Sequence, residues 1–156
     1  MNEQTLANPW WAALITWGIV NLVNLLQSAG YLSRVFTKTI AINHALGYVM
    51  IAFGIPTGVA LVAFIRVGAD WHQWIGLAAY LVFLVLMIAV DYIWQVEFRS
   101  PRRTEILIPY LALFFGSILL MGLPMFRMDR RLWLVTVATT ILLITSMVMA
   151  MRKGVG

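Results

Sequence analysis

Apolar residues run almost unbroken through five stretches of this chain, at about 10–28, 43–65, 74–94, 106–123 and 132–151, with short polar segments between them. About 20 helical residues cross the roughly 30 Å hydrocarbon layer of a bilayer. In lipid, backbone polar groups have to be satisfied within the protein, and a helix does this segment by segment. The pattern therefore predicts an all-α integral membrane protein, a bundle of five transmembrane helices forming a single domain over 1–156. No Gly/Ser, Pro or charged linker is long enough to divide it.

Composition strengthens this reading: 62% of the residues are hydrophobic and 11% are charged, against roughly a quarter charged in soluble domains. The net charge of +5 comes mostly from cations in short segments flanking the spans. That is how topology signals are distributed, and it speaks against a nucleic-acid partner. An odd number of crossings groups Arg66, Arg127, Arg130 and Arg131 on one side. Arg34, Lys38, Arg99, Arg102, Arg103, Arg152 and Lys153 fall on the other. The excess predicts an N-terminus outside, a cytoplasmic C-terminus and a multi-pass protein of the cell membrane. The Arg127, Arg130, Arg131 cluster dissents, with Asp129 inside it. Trp10, Trp11, Trp71, Trp74 and Trp133 share the proposed outer side, at the depth where indoles anchor. Glu3 and the lack of basic residues before the first stretch point to a retained span.

Polar positions inside the spans carry the functional information. In the first, Trp17, Asn21, Asn24 and Ser28 fall within about 60° on a helical wheel, with Gln27 at the edge. Such a stripe turns toward other helices or a wet cavity, because a buried amide without a partner costs about 1 to 3 kcal/mol. Asp91 lies near the end of the third span, close to Tyr92 and Glu97, where pairing with Arg99 is one outcome and a proton or cation site another.

His44 opens the second span and His72 precedes the third, so they sit at opposite membrane faces and cannot jointly hold one haem. His72 reads as an interfacial residue beside Trp71 and Trp74. His44 shares depth and side with Asn24, Gln27, Asn43, Asp91, Tyr92, Pro109 and Tyr110. Asp91, His44, Asn24, Asn21, Gln27 and Tyr110 are therefore candidates for binding a ligand or a proton. Gly47, Gly54 and Gly58, with Pro56 between the last two, read as a close-packing helix face with a kink, where Thr57 can bond a freed carbonyl. Gly116, Ser117, Thr136, Thr139 and Thr140 suggest further close contacts.

Cysteine is absent, which removes disulfides, thiolate catalysis and thiolate metal sites. No phosphate loop, HExxH, GxSxG or carboxylate-rich metal motif is present, and no internal repeat appears. The expectation is a protein without catalytic residues, metal or cofactor. It binds a lipid or small amphipathic ligand, or joins a membrane complex or homo-oligomer, with membrane lipids as partners. The alternative is a small proton-linked transporter or channel using the Asp/His/Asn cluster. A lipid enzyme built on one His and one Asp is a third class.

Overall fold

The computed structural model describes residues 9–39, 41–96 and 103–154. Among these, every long element is helical: α1 (Trp10–Thr37), α2 (Ala41–Ala52), α3 (Gly54–Arg66), α4 (Trp71–Met87), α5 (Thr104–Met128) and α6 (Arg130–Arg152). A π-helical turn, Ile88–Ile93, continues α4. Because α2 and α3 make one crossing, five helices are long and apolar enough to span a bilayer.

Several helices outrun their apolar stretches, which corrects the boundaries expected above. The largest difference is in α1, where 29–37, expected as loop, is helical. Its 28 residues reach about 42 Å at 1.5 Å per residue, more than the hydrocarbon thickness. Falling hydropathy marks where a helix leaves lipid, while its end is set by backbone geometry. For α1 that end is Lys38, in the left-handed region at φ 57°, whose N–H closes on the Arg34 carbonyl. The expected 125–131 loop shrinks to Asp129, whose Oδ1 accepts from the Arg131 and Leu132 amides at 2.7 and 3.4 Å and caps α6.

Pro56 explains the interruption of the second span. It has no N–H to offer the Ala52 carbonyl, and its ring crowds that group. The helix breaks at Phe53 and restarts at Gly54, which puts Pro56 in a first turn where an amide would lack an intrahelical partner anyway. The Thr57 amide and hydroxyl both donate to the Phe53 carbonyl, at 3.0 and 2.6 Å.

The crossings form a ring. α1 packs on α2 and α3, α3 on α4, α4 on α5, α5 on α6, and α6 closes back onto α1, while α5 also touches α1. Lipid supplies little hydrophobic drive between helices, so close packing and interhelical hydrogen bonds carry the association. On α4, a Cβ at Gly76 would lie 2.5 Å from the Met121 nitrogen, so α4 and α5 meet nearly backbone to backbone there. Tyr80, Leu77, Ile118 and Met121 fill the space around this point with almost no exposure.

Candidate functional site

The polar stripe of α1 divides between two structures. Its N-terminal part makes a ladder with α6. Trp17 Nε1 donates to the Leu132 carbonyl at 2.9 Å, and Asn21 Nδ2 to Thr136 Oγ1 at 3.2 Å. Asn21 Oδ1 accepts from Thr139 at 2.8 Å, and Asn24 Nδ2 donates to Thr139 and Thr140 at 3.1 and 3.0 Å. Partners stay 115 to 118 residues apart throughout, as two parallel helices in register require. Asn21 and Asn24 are buried and joined to the threonines of α6.

The C-terminal part of the stripe turns into a cavity of about 100 Å³ among the helix ends at one end of the bundle. Gln27, Tyr31 and Arg34 line it from α1, Asn43, His44 and Gly47 from α2, and Asp91 and Tyr92 from the π-turn. Tyr110 and Leu111 reach it from α5 and Met151 from α6, above a floor that includes Phe83, Met87 and Phe114. The sequence candidates Gln27, His44, Asp91 and Tyr110 thus meet at one cavity, while Asn21 and Asn24 lie outside its lining.

Local geometry accounts for each placement. The π-turn closes through the Trp94 amide on the Ala89 carbonyl at 2.8 Å and carries Asp91 to the cavity wall. Such turns widen a helix and recur at functional sites. Asp91 Oδ2 accepts the Tyr110 hydroxyl at 2.8 Å. Tyr92 donates to the His44 carbonyl at 2.8 Å, and the two rings meet edge to face at 5.6 Å. That bond depends on Gly47, because a Cβ there would collide with the Tyr92 hydroxyl. Similarly, a Cβ at Gly30 would lie 2.9 Å from Asn43 Nδ2. Gln27 Nε2 donates to Met50 Sδ at 2.7 Å.

Arg34 is the cavity residue that the sequence pattern grouped instead with the cations that set topology. It is only 6% exposed, with its guanidinium carbon 5.2 Å from the Tyr31 ring centroid. A cation so buried in an apolar bundle is costly unless other groups stabilise it. Its signal was the spacing Gln27, Tyr31, Arg34, which continues the α1 stripe by one helical turn after another.

The packing candidates also divide. Gly47 abuts Tyr92, and a Cβ at Gly54 would meet Leu84 at 3.2 Å, whereas one at Gly58 meets nothing within 4 Å. Gly58 faces an outer groove with Val59 and Val62. Arg99, suggested above as a partner for Asp91, lies outside the described residues, as do Glu3, Glu97 and Arg102. His72 is the second residue of α4, with its ring against Trp71 at the opposite end of the bundle.

No family model, curated protein or solved structure matches the chain. A guanidinium, a carboxylate, an imidazole, two amides and three phenols surround a space floored by aromatic and thioether side chains. Such a wall recognises a polar group that both donates and accepts hydrogen bonds, while the floor excludes a second charge.

Proposed function

We propose that this five-helix membrane protein binds the head of a small amphipathic molecule in the cavity between its helix ends. The observation that carries the reading is the presence of Arg34 and Asp91, with opposite charges, on the wall of one cavity with an apolar floor. Size sets the limit on the ligand. At about 100 Å³ the space is smaller than the roughly 150 Å³ cavity that admits benzene and well below the usual 300 Å³ or more of drug-sized pockets. It suits a head group, with the tail left in lipid.

A proton-linked transporter that uses Asp91 and His44 needs a polar path through the bundle. Below the floor, Leu77, Tyr80, Ile118 and Met121 are at most 1% exposed, which argues for binding at one face over passage between faces. We place that face on the cytoplasmic side of a cell membrane. With the buried Arg34 set aside, six cations still flank this side against four on the other.

Native mass spectrometry of the protein extracted gently from its own membrane tests the reading. The wild type is expected to retain one small amphipathic molecule per chain, and Arg34→Gln and Asp91→Asn to lose it while keeping their helical content. A wild type that carries nothing, or variants that retain the same molecule equally, would overturn the proposal. Stoichiometric retention of a different protein in place of a small molecule would make the chain a complex subunit instead.

A further inference from the structure

At the end of the bundle away from the polar cavity, a groove of about 620 Å³ runs between α4 and α5. Ile75, Leu120 and Leu123 line it on the side toward the middle of the helices, and Trp71, Trp133 and Arg127 on the side toward their ends. We propose that this groove binds one anionic phospholipid, with an acyl chain along the leucines and the phosphate at the arginines.

The direction of the groove supports this occupant. Leu120, Leu123 and Arg127 lie on successive turns of α5, so the lining passes from apolar to cationic over about 10 Å along the helix axis. An acyl chain descending from a headgroup has the same polarity. Exposed Trp71 sits where indoles prefer to lie, between headgroup and hydrocarbon.

Charge complementarity makes the lipid anionic. Arg127 lines the groove, and the guanidinium of Arg130 stands 5.6 Å from the ring centroid of Phe126, itself a lining residue, so a second cation lies against one wall of the groove. The neighbouring carboxylate, Asp129, is turned to the α6 amides, where Oδ1 accepts from Arg131 N at 2.7 Å. The cluster that opposed the expected topology is thereby given a use, since a cation that binds a lipid phosphate need not obey the loop-charge bias.

The test is retention of lipid by the full chain in phosphatidylcholine nanodiscs doped with phosphatidylglycerol, read by native mass spectrometry after release. The wild type is expected to keep one phosphatidylglycerol, and excess inorganic phosphate should not displace it. The double variant Arg127→Gln/Arg130→Gln should bind it about 25-fold more weakly, from roughly fivefold per cation. Control substitutions Arg152→Gln/Lys153→Gln, at the other face, should leave retention unchanged. Equal retention of the two lipids, or an equal loss in the control, would overturn the proposal. Should the double variant fold poorly, quenching of wild-type tryptophan by brominated phosphatidylglycerol decides in its place. Quenching no stronger than with brominated phosphatidylcholine would also overturn the proposal.

Discussion

Replacing Gly76 by alanine is the most demanding test of the helix arrangement. The added carbon would lie 2.5 Å from Met121 N and 2.7 Å from the Leu120 carbonyl carbon, where non-bonded atoms rest comfortably at about 3.5 to 4.0 Å. Both obstacles are backbone atoms, so no rotamer change relieves the contact, and α4 and α5 have to separate by on the order of 1 Å. A gap of that size forfeits a quarter to a half of each dispersion contact across the seam. Overpacking ordinarily costs about 1 to 3 kcal/mol, and a contact that cannot rotate away belongs at the upper end, near 3 kcal/mol. Gly58→Ala and Gly116→Ala are the matched controls, since a Cβ at either meets nothing within 4 Å. They should be neutral or gain up to about 1 kcal/mol in helix propensity. Reversible unfolding in detergent, or steric trapping in bicelles, measures all three. If Gly76→Ala falls within about 0.5 kcal/mol of Gly116→Ala, the usual range for substitutions that touch nothing, the backbone approach of α4 to α5 is refuted.

Two further outcomes use the same unfolding measurement. Asn21→Val removes the bonds to Thr136 and Thr139 and should cost about 1 to 2 kcal/mol. Combining it with Thr139→Val should cost less than the two singles together, since each already breaks the shared bond; strict additivity would contradict the ladder. Asp129→Ala should cost about 1 kcal/mol through loss of the α6 cap, with Asp129→Ser recovering most of it. No recovery by serine would assign the loss to the charge of Asp129 instead.

The five crossings are legible in the sequence because lipid penalises every polar break in a span, so their number and rough limits follow from hydropathy alone. The grouping of Gln27, His44, Asp91 and Tyr110 was legible in depth for a related reason: alternating crossings fix which helix ends share a face. Which side chains meet across that face depends on helix order, and no periodicity encodes it. Arg34 was misplaced because cations near a span end ordinarily mark topology, and only its spacing from Gln27 hints at an inward orientation. The π-turn has no compositional signature in Ile-Ala-Val-Asp-Tyr-Ile. Gly76 was missed because neither residue four positions away, His72 or Tyr80, is small. Gly58, which has such a small neighbour in Gly54, faces outward.

The ladder between α1 and α6 also constrains how the protein can be made. Asn21 and Asn24 enter the bilayer with the first helix, and their partners Thr136, Thr139 and Thr140 belong to the last. At about 5 to 20 residues per second, the intervening 115 residues take roughly 6 to 23 s to synthesise. Throughout that interval both carboxamides lack their partners on α6, although Asn21 Nδ2 can already donate to the Trp17 carbonyl within α1. Until α6 is made, the nascent chain therefore carries amide groups in α1 that only this later helix satisfies, and α6 acts as the clasp on α1.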